Sequence, residues 1–90
     1  MDRPIFAAKR FRATWRTLPP KLKEAVIDVI LALPSLLAQP HRHSGFGLRR
    51  LHGSEFWEAR LDLRWRLILR IGANDIVLFD VMNHDQVRRL

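Results

Sequence analysis

The sequence predicts an α+β fold: an N-terminal helical hairpin packed on one face of a twisted antiparallel β-sheet. Three observations predict it. Apolar residues recur at three- and four-residue spacing over residues 7–33, which is the helical period. They recur at alternate positions over residues 48–82, which is the strand period. Between the two lies His41-Arg42-His43-Ser44-Gly45-Phe46-Gly47, a loop by composition. Residues 1–90 read as a single domain, without repeats or linkers, near the lower end of the size at which one core sustains itself.

Ala7, Ala8, Phe11, Trp15 and Leu18 form one stripe of a first helix over 7–18, with Lys9, Arg10, Arg12 and Arg16 mostly off it. Pro19-Pro20 ends that helix and opens the next, because a first turn tolerates a residue without an N–H. The second helix runs from Lys21 to Leu33 and turns Ala25, Val26, Val29, Ile30 and Leu33 inward. Pro34 disfavours helical geometry in Leu33, which predicts a stop or a kink there. Leu48 to His52 is a short extended segment ended by Gly53-Ser54. Three strands follow at 55–61, 63–71 and 75–82, with Gly72-Ala73-Asn74 as a turn. Residues 84–90 close the chain as a turn or short helix.

Strand side chains alternate faces, so register can be argued from the pattern. A three-residue Leu61-Asp62-Leu63 connection sets Arg60 opposite Arg64 and Glu58 opposite Arg66. Across Gly72–Asn74 the same logic sets Arg70 opposite Ile76 and Arg66 opposite Asp80. The helices then cover Trp57, Trp65, Leu67, Leu69, Val77, Phe79 and Val81. The open face carries Phe56, Glu58, Arg60, Arg64, Arg66, Ile68, Arg70, Leu78, Asp80 and Met82, with His84 continuing that parity.

Composition narrows the function. Sixteen Lys and Arg against nine Asp and Glu leave a net charge of +7, and thirteen of the sixteen are arginine. Such a balance implies an anionic partner, and the arginine fork matches phosphate and carboxylate. With no cysteine there is no disulfide, thiol nucleophile or Cys-based zinc site. The first residues lack the layout of a secretory signal and no apolar run reaches the ~20 residues of a spanning helix, so a cytoplasmic protein with no membrane partner is expected. Phosphate-loop, dinucleotide, nucleophile-elbow and EF-hand spacings are all missing.

Metal-independent RNA cleavage needs an acceptor for the 2′-hydroxyl proton, a donor to the leaving 5′-oxygen, and cations around the charged phosphorane. Arg66, His84 and Glu58 supply those types and are the expected catalytic residues, with Arg49, Arg50, His52, Arg60 and Arg64 as expected RNA contacts. His41 and His43 lie in the loop nearby; a metal site built from them with His52 would lack the spacing that fixes such sites. The bland reading of Glu58, Arg66 and Asp80 is a cross-strand salt ladder on a solvated face. Phe11, Trp15, Trp57 and Trp65 are core by spacing, whereas Phe56 on the open face is available for base stacking.

The order of these elements, with Leu48-Arg49-Arg50-Leu51-His52-Gly53, Phe56-Trp57-Glu58-Ala59-Arg60, Arg64-Trp65-Arg66-Leu67-Ile68-Leu69 and His84-Asp85-Gln86-Val87-Arg88-Arg89, resembles the RelE/ParE superfamily of toxins from type II toxin–antitoxin systems. The resemblance runs from about Phe11 to Leu90. It implies a ribosome-dependent endoribonuclease that cuts mRNA in the A site and is neutralised by an acidic antitoxin. By position Arg66 matches the family's strand arginine and His84 falls near its terminal acid, while Arg49, Arg50 and Arg60 match phosphate contacts. No cofactor or metal is implied. ParE-like members of the same fold act on DNA gyrase instead, and an inactive binding module on the fold is the third reading. The sequence departs from the family in having only Ile5-Phe6 for an N-terminal strand and no tyrosine, and in placing Asp85 where it could pair with Arg66.

Overall fold

The computed structural model describes residues 3–38 and 47–90, so His41 and His43 lie outside the described residues. The element order is β1 (Ile5–Ala7), α1 (Lys9–Trp15), α2 (Pro20–Ala38), β2 (Arg49–Arg50), β3 (Phe56–Arg60), β4 (Trp65–Ile71), β5 (Ile76–Asn83) and α3 (His84–Arg88). The described strands form one sheet in the order β1-β5-β4-β3-β2. The expected antiparallel meander is its centre. The expectation of an all-antiparallel sheet is corrected by β1, which pairs parallel to β5 from Ile5↔Ile76 to Ala7↔Leu78. A three-residue edge strand shows no alternation to read, so its existence is a tertiary effect.

Two helices precede the meander as expected, with shifted limits. Ala7 belongs to β1, and α1 begins once the Ala8 N–H has bonded to the Leu78 carbonyl at 2.9 Å. Of the stop or kink expected at Pro34, the stop does not occur, since α2 runs through Pro34 to Ala38. Leu22, Val26, Val29, Leu33 and Leu36 are all buried at alternating four- and three-residue steps. A break at Pro34 would pull Leu36 off that stripe, and burying a leucine at ~1.5–3 kcal/mol offsets much of the proline's cost of ~3 kcal/mol. Phe11 and Leu18 join the same core with Leu48, Ala59, Leu67, Leu69, Ile76, Leu78 and Val81. No helix among the described residues is long and apolar enough to cross a membrane.

Register departs from the expected pairing twice. Between β3 and β4 the observed partners are Arg60↔Arg66 and Glu58↔Ile68, two residues away from Arg60–Arg64 and Glu58–Arg66. Asp62 causes the shift: its Oδ1 accepts from the N–H groups of Arg64 at 2.8 Å and Trp65 at 2.7 Å. This side-chain capture lengthens the connection and leaves Leu63 89% exposed instead of on a strand face. A two-residue slip keeps every side chain on its expected face.

The second departure does not preserve parity. Ile71 pairs with Ile76 across a four-residue turn, and Gly72 permits it because a Cβ there would lie 2.9 Å from Asp75 Oδ1. The pairing continues as Leu69↔Leu78, then jumps to Ile68↔Asp80 at an irregularity that leaves Phe79 outside the ladder. Ile76 and Leu78 therefore enter the core in place of the expected Val77 and Phe79, while Val81 enters it as expected. Arg66 faces Met82, not Asp80.

Asp80 consequently has a structural occupation. It is buried, and its carboxylate accepts from Thr14 Oγ1 at 2.6 Å, Arg10 Nη2 at 3.1 Å and the Val81 N–H at 2.8 Å, fastening α1 to β5. Asp80→Ala is expected to lower stability by about 2–3 kcal/mol, because a charged acceptor is lost while the buried Val81 N–H and the part-buried Thr14 hydroxyl lose their partner. Urea denaturation measures it; a change below ~0.5 kcal/mol would mean that this clamp contributes nothing beyond a surface substitution.

Candidate active site

Alternation along β3 turns Trp57 and Ala59 to the helices and Glu58 to the other face. Arg49 pairs with Glu58 across β2–β3 and so shares that face. Arg66 shares it too, two residues along β4 from Ile68, the direct partner of Glu58. The Glu58 carboxylate lies between these cations: Oε1 is 3.4 Å from Arg49 Nη2 and 3.6 Å from Arg66 Nε. Glu58 and Arg66 thus meet on the diagonal, although the direct pairing expected for them does not occur.

The two cations differ in freedom. The Arg66 side chain is 11% exposed and the Arg49 side chain 71%. Arg66 Nη1 donates to the carbonyls of Asp62 at 2.8 Å and Trp65 at 3.1 Å, so its guanidinium is fixed to the β3–β4 turn. Among the described residues no ion pair joins Arg66 to Asp85, which is exposed on α3. Arg66 is an anchored, nearly buried cation at Glu58, and Arg49 is an exposed one.

The chain after β5 brings the remaining groups. Asn83 caps α3: its Oδ1 accepts from the Gln86 N–H at 2.9 Å, and Gln86 Oε1 accepts from the Asn83 N–H at 2.9 Å. This reciprocal cap starts the helix at His84 and sets His84 and Arg88 four residues apart, on one helix face. Arg49, His52, Glu58, His84 and Arg88 line a single cleft of about 340 Å³ on the sheet face opposite the core. His84 also borders a second hollow of about 260 Å³ with Arg64.

The structure therefore brings together Arg49, His52, Glu58 and His84, with Arg66 one contact behind and Arg64 on the far side of His84. Arg60 is exposed on the same sheet face. Arg50 is set apart: it pairs with Trp57, on the helix-facing side, and its Nε donates to the Ser54 carbonyl at 3.1 Å. Arg88 is the charged residue of the cleft to which the sequence assigned no role. Its signal was the spacing from His84, usable only once 84–88 is known to be helical. Among the described residues no group of three or more His, Asp or Glu is placed to hold a metal ion.

The cleft thus holds a buried carboxylate, exposed imidazoles and two arginines, residue types able to pair with a phosphodiester and to exchange protons.

No protein-family model and no curated protein sequence matches the chain. Solved structures do match. A copper-bound mutant toxin from Helicobacter pylori superposes with a TM-score of 0.73 at 15% identity, covering 96% of this chain and 99% of that one. A chain of the YoeB–YefM complex from Staphylococcus aureus gives 0.72 at 11% identity, covering 93% and 99%. A chain of the RelB–RelE antitoxin–toxin complex from Methanococcus jannaschii gives 0.64 at 10% identity, covering 93% and 95%. At these identities the likeness is one of architecture, and the chain has the fold of the RelE and YoeB toxins.

Proposed function

We propose that this chain is the toxin of a toxin–antitoxin pair, a single cytoplasmic domain acting as a ribosome-dependent, metal-independent mRNA endoribonuclease. One observation carries the reading: Glu58 and His84 line the same cleft, with Arg49 and Arg88 on its walls, on the exposed face of a toxin fold.

In this reading the 2′-hydroxyl oxygen of the RNA attacks the adjacent phosphorus as Glu58 takes its proton. The bond to the 5′-oxygen breaks as His84 donates a proton to it, leaving a 2′,3′-cyclic phosphate and a 5′-hydroxyl. Arg49 and Arg88 stabilise the phosphorane, and Arg66 acts through Glu58, holding its carboxylate in place. His52, Arg60 and Arg64 contact flanking phosphates, and Arg50, on the other side of β2, meets RNA or ribosome only at the rim. The α1–α2 pair serves as the helical hairpin backing the sheet. An acidic antitoxin segment covers the basic face, as +7 on ninety residues suits.

The test follows two nucleic acids in one culture. Expression without a partner should arrest growth with mRNA cut and chromosomal DNA intact. Gyrase–DNA cleavage complexes with mRNA intact would replace this reading by the ParE-like one, and unimpaired growth would remove both.

A further inference from the structure

The sheet face that bears the cleft also bears an aromatic pair that the cleft does not use. Phe56 and Phe79 meet across β4, ring centroids 4.6 Å apart and planes inclined by 39°. Beneath them Ile68 is fully buried. The Arg10 guanidinium carbon lies 4.7 Å from the Phe79 centroid. Its Nη2 is held by Asp80 Oδ2 at 3.1 Å, yet the Arg10 side chain remains 59% exposed. Arg70, opposite Phe56 in the ladder, is 52% exposed and holds a second guanidinium alongside, its Nη1 paired with Glu55 Oε1 at 3.4 Å.

We infer that the Phe56–Phe79–Arg10 stack is a binding site for a nucleobase of single-stranded RNA, seated on the exposed guanidinium plane of Arg10. This inference rests on the RNA-cleaving reading of the cleft, and it adds where a second nucleotide of the same strand is held. Phe79 faces outward from the core residues Ile76 and Leu78, and the β5 irregularity puts Asp80 on that same side, where uninterrupted alternation from Leu78 would send it to the core. Such irregularities re-aim side chains beside functional sites. A planar cation clamped edge-on by a carboxylate and backed by a ring offers its free side to another flat π-system, and nucleobases stack on arginine planes. The occupant is RNA and not an apolar peptide, because both exposed ends of the patch are arginines. Phe56 is two residues from Glu58 on β3, roughly 7 Å, so one strand spans both positions.

An abasic scan along a short single-stranded RNA tests this. The wild-type protein should lose about tenfold in affinity when one particular base is removed and much less at the others. In Arg10→Lys, which keeps the charge and the reach to Asp80 but not the plane, that positional loss should disappear. Phe79→Leu should abolish it too, while binding of polyphosphate stays at the wild-type level in both variants. A positional loss that persists undiminished in Arg10→Lys, or none in the wild type, overturns the inference and leaves the cleft reading standing. Failure of the wild type to bind the RNA at all also overturns the inference, whereas the cleft reading falls only if mRNA on the ribosome stays intact.

Discussion

His84→Ala is expected to lower ribosome-stimulated mRNA cleavage by about two to four orders of magnitude, the usual loss when a general acid, the role proposed for His84, is removed. The fold should survive. His84 is exposed, and the helix it begins is capped by Asn83 and Gln86, which the substitution leaves in place. Glu58→Gln should lose a similar amount, because the amide occupies the same space but cannot take the 2′-hydroxyl proton. Single-turnover rates on translating ribosomes, with melting curves as a control on folding, give both numbers. Wild-type rates in His84→Ala would move the acid to another residue, His52 being the other histidine on the cleft among the described residues.

Arg66→Met is expected to cost about 3–5 kcal/mol of stability, because it strands a buried carboxylate. The Glu58 side chain is 7% exposed, and its remaining ion partner, Arg49, is mostly in solvent. On a ninety-residue chain such a loss is a large share of the total. Adding Glu58→Gln to Arg66→Met removes the stranded charge and should restore most of it. The reverse single change, Glu58→Gln alone, should cost less, since Arg66 keeps its bonds to the Asp62 and Trp65 carbonyls. A double-mutant cycle by urea denaturation measures the coupling. Additive single costs would mean that the 3.6 Å contact between Arg66 and Glu58 carries no stability.

The faces of β3 and β4 were legible because alternation survives a two-residue slip, so Glu58 and Arg66 were placed on the right side even though their partners were not. The face of Phe79 was not legible. The β4–β5 turn is one residue longer than Gly72–Asn74 suggests, and the chain restores its phase by leaving Phe79 outside the ladder. Pattern reading assumes unbroken phase, so it put Phe79 and Val77 in the core and Leu78 outside it. Asp80 looked like a neighbour of Arg66 for the same reason; its partners on α1, 66 and 70 residues away in sequence, leave no local trace. The extension of α2 past Pro34 was hidden because proline is a local signal and the burial of Leu36 is a tertiary one. The cleft was half legible: its residue types were evident, but the convergence of β2, β3 and α3 on one site depends on the sheet order.

The most direct test of the central claim, that this cleft cuts mRNA on the ribosome, is primer extension on a defined transcript. The purified protein is added to that transcript with and without programmed ribosomes. New 5′ ends within the codon at the ribosomal A site, dependent on ribosomes and missing with His84→Ala, are the predicted result. An intact transcript on translating ribosomes, or cuts that are equally strong in His84→Ala, would contradict it.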